Sequence, residues 1–460
     1  MYGVIDTSDT PALAVPRRPE GRITFWQFLR IVRENLLAVY PEEAFAEDII
    51  AHRLLWRRTY IFNEPSAVRR VLLDNPENYA VSDLSRRLLE PGLGRGLLTS
   101  EGETWRRHRR IMAPAFDPRS VAGYAPIMTE VAHELLAKWD ALPNFSEVDA
   151  GAAMMHMSLL IISRAMFSSV SHEIVDIVER GVLQYQTSLR PGLLDLLHIP
   201  DWLTRLVSPR RPEGSFNDLD KMLDRLLHTR QPDADPKDLF ARLTAARDSE
   251  TGVGMTAKVV RDQVVTIFMA GHETTAQALS WTWYLLSQHP AAEAKLHDEL
   301  ANVLAGRTPR HEDLADLRYM RMVIEESMRL YPPAHTLTHE TIAAEEVLGH
   351  HIPANSTVLI VPWLLHRKPS LWQNPNRFDP ERFSPERSAA RPRFAYIPFG
   401  DGPRVCIGAA FAMEEALLIL ATIAQRYRLH LKPGHPVEPL GLITLRPRYG
   451  LRMLLERRSN

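Results

Sequence analysis

The chain has 460 residues, a formal net charge of −1 and 45% hydrophobic residues. This charge balance argues against a nucleic-acid binder, which usually carries a basic excess, and a single cysteine excludes an internal disulfide or a multi-cysteine metal site. The N-terminus lacks the basic start and apolar run of a signal peptide. No stretch reaches the roughly 18 apolar residues of a spanning helix. We therefore expect a cytoplasmic protein without a stable membrane anchor.

The length alone allows about three domains of roughly 150 residues each. The Pro/Gly clusters at 210–214 and 233–236 are short and of ordinary complexity, and no internal repeat stands out. An apolar content of 45% is that of a globular protein with a large core. We expect a single domain over residues 1–460, with a helix-rich core and a smaller β-rich N-terminal portion.

Periodicity predicts helices over 23–38 and 64–74, with a short strand over 60–62 between them. From about 102 to 290 the pattern is mostly helical. The later predictions are a helix over 317–330, a strand over 358–361, a proline-rich stretch over 369–398, and strands over 443–445 and 451–455. The fold class is mainly α with small β-sheets.

The clearest predicted element is a helix from Thr256 to Gln288. Thr256 suits the N-cap position, and His289-Pro290 stops the helix. At 1.5 Å per residue the helix would be roughly 50 Å long. Because apolar residues occupy most of its faces, we expect it to cross the middle of the molecule.

The middle of this helix reads Ala270-Gly271-His272-Glu273-Thr274-Thr275. A helix-interior glycine costs about 1 kcal/mol, and an acid with hydroxyls interrupts an otherwise apolar segment. One interpretation is a solvent-facing stripe. The other is a notch, lined by small and hydroxyl-bearing residues, that faces a ligand.

The only cysteine lies in the segment Phe399-Gly-Asp-Gly-Pro-Arg-Val-Cys406-Ile-Gly408. Its glycines and proline favour a tight turn, and residues 407–415 read as a helix. A thiol at a helix N-terminus is favoured as thiolate, which is the form that binds metal. The alternative is that Cys406 is a small buried hydrophobic residue, as free cysteines usually are.

This segment resembles the haem-binding loop of the cytochrome P450 family, with Phe399, Gly402, Arg404, Cys406 and Gly408 at the pattern positions. The resemblance implies that Cys406 is the axial thiolate ligand of the iron of haem b. An anionic sulfur pushes electron density to iron. The glycines would let backbone N–H groups approach the sulfur, and Arg404 would meet a haem propionate.

The mid-helix segment resembles the oxygen-activating motif of the same family. The resemblance implies that Glu273 and Thr274 are catalytic, with Ala270 and Gly271 facing the haem and leaving room for O₂. Thr274 would hydrogen-bond O₂, and Glu273 would bring protons from solvent. Peroxide-using relatives often carry Arg-Pro at this pair, so Glu-Thr favours a monooxygenase.

Trp105 and Arg109 match the family's Trp-x-x-x-Arg and would contact a propionate, whereas Arg106, Arg107 and Arg110 read as a solvated basic face. The family commonly has another propionate-binding arginine ten residues after the arginine of its Glu-x-x-Arg motif. Here that position is His339, whose charge would depend on pH.

Glu326 and Arg329 lie one turn apart on a helix, and Arg382 follows in Pro-Glu-Arg-Phe. The resemblance implies that these three side chains form a buried network with a folding role. Removing one member of such a network typically costs about 3–5 kcal/mol.

The resemblance covers essentially the whole chain and implies a soluble, bacterial-type monooxygenase. It would insert one atom of O₂ into an apolar fatty acid, terpenoid or steroid, by hydroxylation or epoxidation. Since no flavin or iron–sulfur module follows Asn460, we expect a separate donor, a ferredoxin or flavodoxin with an NAD(P)H-dependent reductase. A basic patch that includes some of Arg106, Arg107 and Arg110 would dock it.

Other functions stay open within this resemblance. A haem-thiolate isomerase, dehydratase or peroxygenase is one, and a non-catalytic haem sensor or electron carrier, which would not need Glu273 and Thr274, is another. A nucleotide-binding enzyme is weaker, because residues 92–96 (GLGRG) lack the third glycine and open no βαβ unit. The candidate substrate lining is 80–98, 185–208, 334–338 and 440–444. The apolar part of this lining, 193–207, either forms a hydrophobic entrance to the substrate site or packs against the core.

Overall fold

The structure is a computed structural model that describes residues 13–18, 24–54, 57–167, 177, 180–181, 217–229 and 238–458. The candidate lining segment 185–208, with its apolar part 193–207, lies outside the described residues. The described part is mainly helical with small sheets, as the sequence predicts.

The α-helices of the described residues follow in chain order. They are α1 (Phe25–Glu34), α2 (Pro65–Arg69), α3 (Asp83–Leu93), α4 (Gly102–Met112), α5 (Pro118–Ala122), α6 (Ala125–Asp140), α7 (Ala150–Phe167), α8 (Asn217–Thr229), α9 (Leu239–Ala245), α10 (Ala257–Gln288), α11 (Pro290–Leu304), α12 (Arg318–Leu330), α13 (Pro362–Leu365), α14 (Pro385–Ala390) and α15 (Ala409–Ala424). Short 3-10 helices cover Leu36–Val39, Glu42–Phe45, Pro76–Asn78, Ala113–Phe116, His311–Ala315, Pro380–Phe383 and Gly402–Arg404.

The strands form four small sheets. They are β1 (Ile49–Leu54), β2 (Arg57–Phe62), β3 (Tyr79–Val81), β4 (Glu147–Asp149), β5 (Leu337–Thr341), β6 (Glu345–Val347), β7 (His350–Ile352), β8 (Thr357–Ile360), β9 (Tyr427–Leu431), β10 (Pro439–Gly441), β11 (Leu445–Pro447) and β12 (Arg452–Arg457). The largest sheet has the order β1-β2-β8-β5-β3, in which only β2 and β8 run parallel. The others have the orders β4-β12-β9, β10-β11 and β6-β7.

Helix α10 lies at the centre of the core and confirms the predicted long helix. The Thr256 hydroxyl accepts the backbone N–H of Val259 at 3.4 Å, and His289 ends the helix before Pro290. Its residues from Val260 to Leu286 are mostly buried, and α7, α12 and α15 contact it. A helix that is apolar on most faces requires such a position.

Most other predicted elements are also present. The predicted helix 317–330 is α12, and the strands 60–62, 358–361 and 451–455 correspond to parts of β2, β8 and β12. The predicted helix 23–38 is α1 followed by a 3-10 helix, and 64–74 is α2 followed by a π-helical turn at Arg70–Asp74.

Two predicted boundaries are wrong. The predicted helix 407–415 begins at Ala409 and continues to Ala424, because residues 416–424 are all buried against the core. The predicted strand 443–445 begins only at Leu445, since Leu442 N–H bonds to the Thr444 carbonyl at 3.2 Å and closes a bend.

One helix of the described residues, α7, is long and apolar enough to cross a membrane, with a mean hydropathy of 1.4. The sequence reading expected none. Of the α7 window 61% is buried inside the protein, and α7 packs against α10. Core packing is therefore sufficient to explain its apolar composition.

Candidate functional site

The cysteine loop is closed by its own backbone. Cys406 N–H donates to the Phe399 carbonyl at 2.9 Å, and the Asp401 carboxylate accepts the Gly402 N–H at 2.6 Å. A 3-10 turn over Gly402–Arg404 lies between these two bonds. The loop leaves Cys406 exposed rather than packed as a small hydrophobic residue.

Gly402 has a steric role that its motif position does not reveal. Its φ is +69°, and a Cβ at this position would lie 1.8 Å from the carbonyl oxygen of Leu72. Only glycine allows the loop to approach this backbone so closely.

Opposing effects act on the pKa of the Cys406 thiol. The protein around its sulfur raises the pKa of Cys406, while the backbone N–H of Gly408 and the guanidinium of Arg109 act to lower it. The net direction is upward, so the N–H group at the helix end favours thiolate as predicted, but together with Arg109 it does not outweigh desolvation in the protein by itself. Cys406 precedes the first residue of α15 by three positions. Although the residue as a whole is exposed, the protein atoms around its sulfur have the larger effect on the pKa. The approach of a backbone N–H to the sulfur is as expected.

Cationic and aromatic side chains gather beside the thiol. The Arg404 guanidinium lies 4.5 Å from the centre of the Trp105 ring, and its Nη2 donates to the Ser100 carbonyl at 2.9 Å. Burial lowers the pKa of Arg109, which the nearby Cys406 opposes. Within the described ranges neither Arg109 nor Arg404 has a carboxylate within 4 Å. Two guanidiniums without acidic partners suit a ligand that carries carboxylates.

His339 lies in β5, opposite Val81 of β3 and Val358 of β8. Burial, and secondarily the charge of Arg404, lower the pKa of His339 to about 4. The imidazole is therefore neutral near neutral pH. It can donate a hydrogen bond near Arg404, but it does not replace the permanent charge of an arginine.

The polar segment of α10 faces the interior. His272, Glu273 and Thr275 are buried, so the solvent-facing stripe is wrong. The Thr274 hydroxyl donates to the Ala270 carbonyl at 2.7 Å. Ala270, Gly271 and Thr274 are half-buried in the middle of an otherwise buried helix, as expected of residues that line an internal cleft.

Glu273 has a partner that the sequence did not identify. The Thr444 hydroxyl donates to Glu273 Oε1 at 2.6 Å, and both side chains are buried. Thr444 belongs to the candidate lining 440–444, but no local pattern indicates this bond, because 171 residues separate its two ends.

Gly271 is directed toward a neighbouring helix. A Cβ at this position would meet the Ile162 side chain of α7 at 3.8 Å, which is an ordinary contact. The absent side chain thus lies on the α7 side of α10. A role of Gly271 in leaving room for O₂ stays a prediction.

The glycine-rich run 92–96 docks a loop onto α10. A Cβ on Gly96 would lie 2.1 Å from the side-chain oxygen of Thr266 and 3.0 Å from the Asp262 carbonyl oxygen, so the close approach of this segment to α10 requires glycine. Gln263 Oε1 accepts the Leu97 N–H, and its Nε2 contacts His108 Nδ1, both at 3.1 Å. Gln263 therefore joins this loop to α4, the helix that carries Trp105. The glycines in 92–96 do not form a nucleotide-binding motif; Gly94 and Gly96 instead allow this segment to approach α10 closely.

The predicted folding network is present. Arg329 Nε and Nη2 donate to the two carboxylate oxygens of Glu326 at 2.6 and 2.7 Å, and both side chains are fully buried. Arg382 Nε lies 3.3 Å from Glu326 Oε1. Arg329 also donates to the carbonyls of His366 and Pro375, so the network anchors the chain that precedes the cysteine loop.

The three arginines of the proposed docking patch have acidic partners. Arg106 pairs with Glu77 at 2.6 Å. Arg107 and Arg110 converge on Asp248, whose side chain is buried. They are not the freely solvated face that the sequence suggests, and Arg107 and Arg110 hold the turn that contains Asp248.

This donor set fits a haem. One thiol with a backbone N–H aimed at its sulfur suits an iron ligand. Arg109 and Arg404, which have no carboxylate within 4 Å among the described residues, suit two propionates, and Trp105 offers a flat apolar surface beside Arg404. The half-buried small residues of α10 suit the space above a macrocycle.

Comparison with known proteins gives the same result. The family model described as cytochrome P450 matches residues 16–451. Cyclooctatin synthase of Streptomyces melanosporofaciens is 37% identical over 85% of each chain. Cyclooctat-9-en-7-ol 5-monooxygenase of the same organism is 35% identical over 84% of this chain and 83% of its own. Pentalenene oxygenase of Streptomyces avermitilis is 32% identical over 90% and 91%. With the cysteine loop and the long central helix in place, the match over nearly the whole length shows that this chain belongs to the cytochrome P450 family.

Proposed function

We propose that this cytochrome P450 monooxygenase hydroxylates or epoxidises a cyclic terpenoid. The main support for this proposal is what the names of its relatives say about their substrates. Cyclooctat-9-en-7-ol 5-monooxygenase and pentalenene oxygenase are oxygenases of ring terpenoids, and each aligns with more than four fifths of this chain. The fatty acid and steroid classes have no such support. The inward-facing residues of α10 agree, since Met269 and Ala270 are apolar and Thr274 adds a single hydroxyl.

Haem b, held by a cysteine thiolate, activates O₂ when bound and supplies the oxidising chemistry. The chain has one cysteine, Cys406. Its sulfur would be tuned by the Gly408 N–H and by Arg109. Phe399 and Gly402 would hold the loop in shape, the first by accepting the Cys406 N–H and the second by its close approach to Leu72.

Four side chains would hold the haem propionates. Arg109 and Arg404 supply fixed charge, and Trp105 packs against Arg404. His339 would add a neutral hydrogen bond, because its pKa of about 4 leaves it uncharged near neutral pH. The haem propionates would supply the acidic partners that Arg109 and Arg404 do not have within 4 Å among the described residues.

Protons for O₂ reduction would pass through Glu273 and Thr274. Glu273 is buried and is held by the Thr444 hydroxyl. Thr274 gives its own hydrogen to the Ala270 carbonyl, which fixes the side chain and leaves its oxygen lone pairs available. Positioned general acids of this kind typically contribute about 10²–10⁴ in rate.

A ferredoxin or flavodoxin, reduced by an NAD(P)H-dependent reductase, would supply electrons. Arg106 is the best-placed docking residue of the predicted patch, since its pairs with Glu77 and Glu103 are exposed. Exposed pairs are worth about 0–1 kcal/mol and can exchange for a partner's carboxylates. Charge reversal by Arg106→Glu should lower the reduction rate at low salt. Equal rates for wild type and variant at all salt concentrations would remove this docking role.

The cytoplasmic location and the single-domain organisation over 1–460 stay predictions. Fractionation of the source cells tests the first. Limited proteolysis of the haem-loaded protein tests the second, because a single domain should not yield two stable fragments.

The substrate proposal is tested by titrating the ferric protein with ring terpenoids, fatty acids and steroids of matched size while recording the haem spin state. We expect saturable shifts with ring terpenoids, followed by product formation with O₂ and a reconstituted electron donor. Shifts only with fatty acids or steroids would contradict the substrate class.

The alternative functions, a peroxygenase, an isomerase or a haem sensor, are distinguished by measuring turnover under different conditions. Turnover with peroxide alone, or isomerisation without reductant, would favour a peroxygenase or an isomerase. Binding without turnover under any of these conditions would favour a haem sensor.

A further inference from the structure

A cavity of about 370 Å³ lies where the N-terminal segment 13–18 meets α13 and the loop that follows it. Arg18, Arg367, Trp363 and Phe45 are among the residues that line it. None of them belongs to the haem site, and no role in oxygen chemistry accounts for them.

Arg367 is the most unusual of these residues. Its side chain is 3% exposed, and its guanidinium stacks 3.6 Å from the centre of the Trp363 ring. It donates to the carbonyls of Leu330 and Trp363, which uses two of its five N–H donors. In the described ranges no carboxylate lies within 4 Å of it.

A buried charge without an opposite charge is costly. Burial lowers the pKa of Arg367 to about 9. Arg329 and Arg18 act in the same direction, and the opposing effects of Tyr331 and Glu326 do not offset it. Arg329 is equally buried but has a carboxylate, Glu326, at 2.6 Å. The difference between these two arginines indicates that Arg367 lacks an anion and that the cavity beside it has room for one.

Arg18 places a second guanidinium at the cavity. Its Nη1 pairs with Glu42, whose side chain is 78% exposed. Its Nε is buried and has no hydrogen-bond partner. The guanidinium lies 5.2 Å from the centre of the Phe45 ring. Among the described residues that line the cavity, two positive charges thus face a single carboxylate, which solvent screens.

We propose that this cavity binds a small oxyanion, a carboxylate or phosphate group, between Arg18 and Arg367. Guanidiniums bind the oxygens of such groups with strong charge-assisted hydrogen bonds, and the Trp363 and Phe45 rings limit the water that would screen them. The anion would fasten segment 13–18 to the core. Tyr331, whose hydroxyl donates to the Ala14 carbonyl at 3.0 Å, already anchors this segment.

The test uses the haem-loaded protein, with inorganic phosphate and acetate as probes and chloride as control at constant ionic strength. Binding is measured by titration calorimetry and by the rise in unfolding temperature. We expect saturable binding of a probe oxyanion that Arg18→Gln weakens by about tenfold or more. The matched control is Arg17→Gln, which removes the same charge from a neighbouring side chain that is 83% exposed, and it should bind like wild type.

Equal binding by Arg18→Gln and Arg17→Gln, or no saturable binding beyond chloride, would overturn the proposal. Arg367→Lys adds a second variant that keeps the charge but loses the planar fork, and it should also weaken binding. A stronger effect of phosphatidic acid vesicles than of free phosphate, with phosphatidylcholine vesicles inert, would identify a lipid headgroup as the source. The reverse would identify a free anion. The haem absorption spectrum should not change in any arm.

Discussion

Thr444 donates a hydrogen bond to Glu273 across 2.6 Å, and it thereby ties the bend before β11 to the middle of α10. Glu273 precedes Thr274, the hydroxyl proposed to act on O₂. A buried carboxylate needs such a donor, because an unsatisfied one carries the full cost of desolvation. The proposed proton path would thus depend on Thr444, a residue outside the family motif.

Thr444→Val should therefore lower the share of reducing equivalents that reach product by several-fold, on the order of the loss of one charge-assisted hydrogen bond. The measurement is product formed per NAD(P)H consumed, with peroxide release recorded in parallel. Thr444→Ser keeps the donor and should behave like wild type. Unchanged coupling in the valine variant would show that this bond has no part in proton delivery.

Thr274→Ala should leave haem content and the carbon monoxide spectrum of the reduced protein unchanged. It should divert O₂ to peroxide and lower product per NAD(P)H by about tenfold or more, since the hydroxyl oxygen that would accept a hydrogen bond in the proposed proton path is lost. Thr274→Ser is the control that retains a hydroxyl. If the alanine variant coupled as well as the serine variant, the role of Thr274 would have to be abandoned.

Glu326→Gln should reduce the free energy of unfolding by about 3–5 kcal/mol, because it leaves two buried guanidiniums without their carboxylate. Glu34→Gln is a matched control, since Glu34 also pairs with an arginine on its own helix but is 52% exposed. That control should cost less than about 1 kcal/mol. Denaturant unfolding compares the two, and similar losses would contradict the folding role of the buried network.

Gly402→Ala should lower both stability and haem occupancy, because its Cβ would collide with the Leu72 carbonyl. Gly434→Ala separates collision from backbone strain. Its φ of +78° is similar, yet no atom lies within 4 Å of the added Cβ, so only the left-handed strain of about 1–2 kcal/mol is expected. Haem per chain and thermal unfolding are the readouts. Equal effects would mean that the contact with Leu72 is unimportant.

His297 should make the protein sensitive to acid. It is 4% exposed, neither ring nitrogen has a hydrogen-bond partner in the described part of the chain, and burial lowers its pKa to about 3. Below the ordinary pKa of about 6.5 the unfolded chain binds a proton that the folded chain refuses, so stability falls as the pH falls from there toward 3.

His297→Leu should remove about 2 kcal/mol of the stability loss between about pH 8 and about pH 5. It should cost little at about pH 8, where the imidazole is neutral in both states. Denaturant unfolding across this range measures the effect. A variant with the same slope as wild type would assign the acid sensitivity to other groups.

Local sequence was sufficient for the elements whose signals are contiguous. The Thr256 cap, the apolar faces and His289-Pro290 predicted α10 almost to its last residue. The Phe399 to Gly408 pattern predicted a turn around Cys406. The assigned roles of the site residues stay predictions, although the structure gathers Trp105, Arg404 and His339 as they require.

What the sequence by itself determined is the helical core and the family, and it proposed the residues that would hold a haem. The tertiary structure decided their partners: Thr444 for Glu273, the Leu72 carbonyl for Gly402, Asp248 for Arg107 and Arg110, and none of the described carboxylates for Arg367. It also decided that His339 is neutral, since burial sets its pKa. The physical reason is the distance along the chain over which each effect acts. Helix periodicity and caps act over a few residues, whereas desolvation and hydrogen-bond partners depend on segments brought together from distant parts of the chain.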